Sequence, residues 1–122
     1  MKVSKRNQLK YNLNQQCCGI IGVISKSQNA TQVCLEGIEL LQNRGYDSAG
    51  IATVGVDKQL TISKYASDSQ KGDCIQRLKG LVPDAHKQSY LGIGHTRWAT
   101  HGGKTDQNAH PHSDEVNSHL FI

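Results

Sequence analysis

The order of its apolar segments constrains the fold of this chain more than any other feature of the sequence. Short β-type runs begin near positions 17, 48, 59, 90 and 119. Two segments with helical periodicity lie between the first and second runs and between the third and fourth. Strands and helices that alternate irregularly around a central hairpin predict an α+β fold. A length of 122 residues suits one small domain.

Each β-type run has its own expected role. CCGIIGVIS, from Cys17, is expected to be a buried strand. SAGIATVGV and QLTISKYAS are expected to form a hairpin around a polar turn at positions 56–59. YLGIGHTRWAT, from Tyr90, is typical of a strand that leads into a loop. The last run, HLFI, begins a strand that nothing follows, and this predicts a truncated domain.

The first helical segment carries a start signal. Asn29 is expected to cap the helix, with Gln32 three residues later in a capping-box pattern. The helix is expected to end near Asn43. Its apolar residues recur at spacings of three and four, which predicts one buried face. That face is expected to contain Val33, Cys34, Gly37, Ile38, Leu40 and Leu41.

The second helical segment is weaker. It is expected to run from about Ser69 to Leu81, with Ile75, Leu78 and Leu81 on one face. Pro83 is expected to lie just beyond its end, because proline cannot continue a helix.

Charge and hydropathy exclude several classes of partner. Much of the net charge of +4 lies in the first ten residues, in a polar, basic extension over residues 1–17 that precedes a domain over residues 18–122. Because no basic stripe interleaved with aromatic residues is present, no nucleic-acid partner is expected. No apolar run reaches the roughly 20 residues of a membrane helix, and no signal-peptide core is present. A cytoplasmic protein without a membrane partner is therefore expected.

Cysteines and histidines raise the question of disulfides or metal. The four cysteines are Cys17, Cys18, Cys34 and Cys74, and none forms a CxxC pair, so free thiols are expected. Candidate metal ligands among the histidines are His95, His101, His110, His112 and His119. No cysteine lies near the His-x-His pair, and zinc needs three or four converging ligands. We therefore expect no metal and no cofactor.

Three segments concentrate residues capable of chemistry or binding. An isolated cysteine such as Cys18 at a strand start is ordinarily a small core residue. In RGYDSAG, Asp47 and its serine neighbour are expected to bond local backbone, and Gly45 to adopt a positive φ. In GHTRWATHG, Arg97 offers a planar fork for a carboxylate, and Trp98 can close over a small ligand.

Four motifs together resemble a known family. CGIIG, RGYDSAG, GHTRWATHG and NAHPH, in this order, resemble the glutaminase domain of the glutamine–fructose-6-phosphate aminotransferase family, among the class II glutamine amidotransferases. The resemblance extends over residues 18–122 and favours this family over amidophosphoribosyltransferases and asparagine synthetases. It implies an N-terminal-nucleophile (Ntn) hydrolase sandwich, in which two sheets lie between helical layers and this chain supplies the N-terminal half.

The resemblance also implies a role for individual residues. Cys18 matches the nucleophile that releases ammonia from the glutamine side chain, and its own α-amine acts as the base. The residues implied to bind substrate are Arg44, Arg97, Trp98, Thr100 and His101. Among them, Arg97 holds the α-carboxylate of glutamine, and Trp98 gates the passage of ammonia. Thr100 and His101 belong to a loop that folds over the substrate, and Arg44 orients the terminus of the nucleophile.

The chain departs from the family pattern in ways that predict inactivity. Cys18 is preceded by 17 residues, so its nitrogen is a peptide amide and cannot accept a proton. The His-Asn-Gly motif, which supplies the oxyanion hole, an aspartate that binds the α-amino group and the sugar-phosphate isomerase domain are expected beyond Ile122. The transaminase activity that the family uses in amino-sugar biosynthesis is therefore not expected of this chain alone, and a half-core predicts marginal stability.

Three functional hypotheses remain open at this point. The chain is an inactive fragment of glutaminase ancestry, either a gene relic or one piece of a split enzyme. Alternatively, cleavage before Cys18 and a complementing partner chain produce an active glutamine hydrolase. The third hypothesis is a module that binds glutamine or a partner without catalysis.

Overall fold

The computed structural model of the protein describes residues 17–68, 73–114, 116 and 119–122. The described elements are β1 (Gly19–Ile24), α1 (Ala30–Leu40), β2 (Ser48–Gly55), β3 (Leu60–Ala66), α2 (Asp73–Ala85), β4 (Ser89–Arg97), β5 (His112–Ser113) and β6 (Leu120–Phe121). They confirm the α+β class. Residues 1–16 of the basic extension and the expected helix start at Ser69 lie outside the described residues. Neither described helix is long and apolar enough to cross a membrane.

A four-stranded antiparallel sheet forms the centre of the fold. Its strand order is β1-β4-β2-β3, so β4 and β2 are paired on both sides, whereas β1 and β3 are edge strands. The predicted hairpin of β2 and β3 is confirmed. In its turn, Lys58 adopts a φ of 62° and donates its backbone N–H to the Gly55 carbonyl oxygen over 2.9 Å.

Strand β1 is buried on one side only. Ile21 and Val23 pack against the core below the helices, whereas Ile20 and Ile24 are 59% and 86% exposed on the other side. The prediction of a buried strand was therefore wrong for half of its side chains. A run of apolar residues alone does not distinguish an edge strand from a central one.

Both helices cover the same face of the sheet, which we call the helix-covered face; the opposite side is the outer face. The buried core between them consists of Cys34, Leu35, Ile38, Ala49, Ile51, Cys74, Ile75, Leu78 and Val82. Gly94 of β4 permits close contact here, because a Cβ atom at this position would lie 2.7 Å from Ile38 Cγ2 and 2.9 Å from Ile21 Cγ2. The missing side chain allows α1 to approach the sheet closely.

The boundaries of α1 differ from the prediction. Asn29 occupies the N-cap position but makes no side-chain cap hydrogen bond, since its side-chain oxygen Oδ1 accepts from the Ser25 hydroxyl. Gln32 bonds Glu36 instead of reaching back to Asn29, so the capping box is absent from the described helix. The helix ends at Leu40, which is 81% exposed rather than on the buried face.

Helix α2 continues further than the sequence predicted. Pro83 lies inside its last turn, and the Val82 carbonyl oxygen accepts the His86 N–H over 3.0 Å. Val82 is fully buried, whereas Leu81 is 56% exposed and lies off the predicted face. The helix tolerates the proline because Val82 anchors the turn in the core, while Pro83 itself remains exposed.

The final β-type run, HLFI, pairs with a strand that precedes it in the sequence. β6 pairs with β5, a two-residue strand that the sequence analysis did not predict. Leu120 of β6 lies at the outer face, where it lines a small apolar cavity of about 60 Å³ together with Ala52 and Ile93. The end of the described chain therefore covers part of the outer face.

Candidate functional site

Three distant parts of the sequence meet at one end of the sheet. They are the start of β1, the loop after α1 and the end of β4. The Cys18 thiol lies 3.9 Å from the Trp98 carbonyl oxygen, although the two residues are 80 positions apart. Cys18 is exposed, so the alternative interpretation as a core cysteine is wrong. An accessible thiol can act as a nucleophile, whereas a buried thiol is ordinarily inert.

Arg44 contacts the residue that precedes Cys18. Its Nη2 atom lies 2.6 Å from the Cys17 sulfur, and its carbonyl oxygen accepts the Cys17 N–H over 3.0 Å. Arg44 therefore grips the chain on the N-terminal side of Cys18 with both its backbone and its side chain. The role expected of Arg44, to orient the nucleophile's terminus, stays a prediction.

Gly45 brings the loop after α1 against the end of β4. A Cβ atom at Gly45 would lie 2.7 Å from the Arg97 carbonyl carbon and 2.9 Å from the Trp98 nitrogen, so any side chain would push the two segments apart. The expected positive φ at Gly45 is wrong: among the described glycines, a positive φ occurs at Gly102, with 74°. Close approach of two backbones, rather than an unusual turn, requires glycine at position 45.

Arg97 is held by the loop that follows it. Its Nη1 atom donates to the Gly103 carbonyl oxygen over 3.3 Å, and its Nη2 atom donates to the His101 carbonyl oxygen. The Asn108 side-chain amide also donates to the Gly103 carbonyl oxygen, over 3.0 Å. The guanidinium fork therefore faces two acceptor oxygens, the pattern that a carboxylate would also present.

Trp98, Thr100 and His101 form the exposed side of the site. The Trp98 ring is half-buried and meets the Tyr46 ring edge-on, with 5.1 Å between ring centroids and an interplanar angle of 87°. Such a contact fixes the orientation of an aromatic ring. Thr100 and His101 are exposed on the loop that surrounds Arg97.

Asp47 is a site residue that the sequence analysis assigned only to a local turn. It is 4% exposed, its Oδ2 atom accepts the Ala99 N–H over 2.9 Å, and its Oδ1 atom lies 2.6 Å from Lys104 Nζ. Its backbone N–H donates to the Arg97 carbonyl oxygen over 3.0 Å. The expected bonding to neighbouring backbone is therefore wrong: Asp47 ties its loop to the segment that follows β4. Only its place beside Arg44 and Gly45 marks it in the sequence.

A row of histidines lies beside Arg97 on the outer face. The His95 ring stacks on His110 at a centroid distance of 4.7 Å, and His110 meets the edge of His112 at the same distance. Burial, together with the nearby charges of His110, Arg97 and His112, lowers the pKa of His95 to about 4. The ring is thus neutral at pH 7. No three His, Cys, Asp or Glu side chains in the described ranges are placed to hold a metal ion.

Comparison with known proteins identifies relatives. The chain is 49% identical over 98 residues to the glutamine–fructose-6-phosphate aminotransferase of Fusobacterium nucleatum, and 50% identical over 97 residues to that of Synechocystis. It is also 49% identical over 98 residues to that of Thermus thermophilus. The chain is a relative of the glutamine–fructose-6-phosphate aminotransferases. The resemblance inferred from the four motifs is confirmed.

The similarity extends over most of this chain but little of its relatives. It covers 80% of the chain in these three comparisons, and 14–15% of the aminotransferases. The chain therefore spans about one seventh of the length of the curated relatives that it matches. No family model matches the chain.

Proposed function

We propose that this chain is part of a glutamine-hydrolysing domain with the Ntn hydrolase sandwich, and that Cys18 is its nucleophile. The observation that carries the proposal is the meeting of Cys18 with the loop at Trp98 across 80 residues of sequence. An exposed thiol, an arginine fork and an aromatic ring within one loop cluster suit a small amino acid whose side chain is attacked. Glutamine is the amino acid that the name of these relatives contains.

The proposed reaction proceeds in two steps. The Cys18 sulfur bonds to the side-chain carbonyl carbon of glutamine, the carbon–nitrogen bond breaks, and the thiol proton leaves with ammonia. Water then attacks the thioester, which releases glutamate and restores the thiol. Arg97 binds the α-carboxylate, Trp98 covers the reacting group, and the loop at Thr100 and His101 closes over the substrate. Arg44 holds the nucleophile's backbone in place.

The chain with residues 1–17 attached does not complete this reaction. The nitrogen of Cys18 is bonded to Cys17 as an amide, and an amide cannot take the thiol proton. Cleavage between the two cysteines would convert that amide into an amine, whose ordinary pKa of about 7.7–8.0 suits a base at neutral pH. Catalysis thus requires processing before Cys18, and delivery of ammonia to a sugar acceptor requires further protein.

Covalent labelling tests the proposal. An electrophilic analogue of glutamine would be added to the complete chain and to a variant that begins at Cys18, and the labelled residue identified by peptide mass spectrometry. We expect labelling at Cys18 in the variant, and at least about a hundredfold slower labelling in the complete chain, because a positioned base contributes about 10²–10⁴ in rate. Excess glutamine should protect the thiol.

Two internal comparisons make the result specific. Arg97→Lys should slow labelling of the variant that begins at Cys18, since a lysine cannot form the two-pronged contact with a carboxylate. Cys34 and Cys74 are buried thiols whose pKa values are raised by burial, so they should remain unlabelled. Equal labelling of both proteins, or labelling that glutamine does not slow, would contradict the proposal. Protection by glutamine without turnover would instead support a binding module.

A further inference from the structure

A second concave site lies at the end of the sheet opposite Cys18. It is an open cavity of about 580 Å³ between the start of α1 and the end of α2, which is within the size range of small-molecule sites. Residues on its wall include Gln28, Asn29, Thr31, Gln32, His86 and Gln88. β4 begins next to it at Ser89 and ends at Arg97, so the two sites are roughly 26 Å apart along the strand.

The wall of this cavity is a fixed polar network. The Thr31 hydroxyl donates to the His86 carbonyl oxygen over 2.7 Å and lies 2.6 Å from the Ser89 hydroxyl. The His86 ring is held at both nitrogens, by Thr53 at 2.8 Å and by Ser63 at 2.9 Å. Buried polar groups with all their partners present form a rigid surface. The cavity is therefore shaped before any ligand enters.

The rim of the cavity carries unused hydrogen-bonding groups. In the part of the chain that the structure describes, the side-chain amides of Gln28 and Gln88 make no hydrogen bond. Both residues have a positive φ, 56° and 51°, a conformation that few residues other than glycine adopt. Of the three described non-glycine residues with this conformation, two thus lie at the same cavity. Such conformations concentrate at functional sites.

The charges around the cavity balance one another. The N-terminal end of α1 carries partial positive charge, and the C-terminal end of α2 carries partial negative charge. Lys87 lies 3.6 Å from Asp84, its ion-pair partner. Burial lowers the pKa of His86 to about 4, so this ring is neutral at pH 7. Among the described residues that line the cavity, Lys87 is the one charged side chain at pH 7, and because Asp84 offsets it, a charged ligand should gain little here.

We propose that this cavity binds a neutral, hydroxyl-rich molecule of the size of a mono- or disaccharide. Each amide side chain offers both N–H donors and a carbonyl acceptor, the combination that a hydroxyl group, itself donor and acceptor, satisfies fully. Leu35 and Pro83 supply apolar surface for the C–H groups of such a ring. The site is independent of the chemistry proposed for Cys18.

A matched pair of sugars tests the charge and the hydroxyl requirement. Methyl glucoside and glucuronate would be titrated separately into the complete, ¹⁵N-labelled chain, and the backbone amide signals of Gln32 and His86 followed by NMR. We expect saturable shifts at both residues with the neutral sugar, and at least tenfold weaker binding of the anion. The amide of Arg97 should not shift.

Variants of residues at the cavity distinguish a specific binding site from non-specific contact with sugar. Gln88→Ala should weaken binding, and Gln32→Trp, on the exposed first turn of α1, should block the cavity. Gln76→Ala removes another exposed glutamine, in the middle of α2, and should leave sugar binding unchanged. The proposal is overturned by shifts that do not saturate, by equal binding of the two sugars, by binding that survives Gln32→Trp, or by a spectrum without dispersed signals, because the cavity needs both folded helices.

Discussion

Apolar side chains of the helices cover the helix-covered face of the sheet. The outer face is covered in part by polar loops, and next to β1 it is exposed to solvent. Between the helices and the sheet, Ile38 and Leu78 are fully buried, and Gly94 leaves room for its neighbours. On the outer face, Lys64 donates to the Ala109 carbonyl oxygen over 2.8 Å, and Ile24 is 86% exposed. On the helix-covered face, the space available to a side chain therefore limits which substitutions the fold tolerates. On the outer face, the loss of hydrogen bonds limits them.

This contrast separates stability from chemistry. Cys18 precedes the edge strand β1, and Arg97 projects from the same side of β4 as His95, on the outer face. The helix-covered face contributes burial to the fold, but no residue of the candidate site. Substitutions on the two faces should consequently have effects of different kinds and sizes.

The largest difference is expected between two isoleucines. Ile38→Ala should lower the free energy of unfolding by about 3 kcal/mol, because it leaves a cavity in a closed core. Ile24→Ala should change it by less than about 0.5 kcal/mol, since that side chain is already exposed. Urea unfolding at low protein concentration measures both. Similar losses for the two variants would show that the outer face is covered in solution.

Two glycines provide the next comparison. Gly94→Ala should destabilise the chain by about 2 kcal/mol, since the new methyl group would collide with Ile38 and Ile21. Among the described residues, the added methyl group of Gly22→Ala, on the outer face of β1, meets nothing within 4 Å. It should stabilise the chain by about 0.5 kcal/mol, because it restricts the unfolded state. Thermal unfolding of both variants measures these changes in stability. Destabilisation by Gly22→Ala would show that the outer face of β1 is in contact with another part of the protein.

The two buried histidines lie on opposite faces and predict an acid-sensitive fold. Burial lowers the pKa of both His86 and His95 from 6.5 to about 4. Between these values the unfolded chain binds protons that the folded chain excludes. Their stabilising contribution is complete above pH 6.5 and is lost as the pH falls toward 4.

Each histidine should contribute a slope of at most about 1.4 kcal/mol per pH unit to the free energy of unfolding. Urea unfolding of His86→Gln and His95→Gln over this pH range should show that each variant loses part of the slope. If the slope persists in both variants, other groups cause the acid sensitivity. A loss in only one variant would show that just one face excludes the proton.

The smallest expected effect concerns two ion pairs. Lys104→Ala leaves the buried Asp47 carboxylate without its cation and should cost about 1 kcal/mol, a value reduced by the 58% exposure of the lysine side chain. Lys87→Ala breaks a pair in which both side chains are exposed, so it should cost almost nothing. Chemical unfolding of both variants at low and high salt provides the measurement, and equal losses would contradict the role assigned to Asp47.

Local patterning predicted most of the fold. Alternation and apolar runs identified β1 to β4, and spacings of three and four identified both helices. The predicted helix ends were wrong for two different reasons. The Asn29 side chain bonds Ser25, four residues earlier, rather than the first turn of its own helix. The buried Val82 extends α2 through Pro83. β5 was missed because two residues are too short to show a period.

Local sequence patterns predicted less of the candidate site than of the fold. Arg97 was marked as a carboxylate binder by the composition of its loop, whereas Cys18 and Arg44 could be proposed only through the resemblance of whole motifs. Nothing in the spacing of the three residues indicates that they approach one another. Asp47 was misassigned because an aspartate before a strand ordinarily bonds nearby backbone. Its actual partners, Ala99 and Lys104, lie more than fifty residues away in the sequence.

The strand order has a further consequence for motion. Within the sheet that the structure describes, β4, which ends at Arg97, is hydrogen-bonded on both sides, whereas β1, which follows Cys18, is bonded on one side only. Amide protons in the middle of β4 should exchange with solvent only when the whole sheet opens, whereas those of β1 facing away from β4 can exchange through local fraying. The arginine thus lies at the end of one of the two central strands, which should exchange most slowly, and the thiol directly precedes an edge strand that can fray locally.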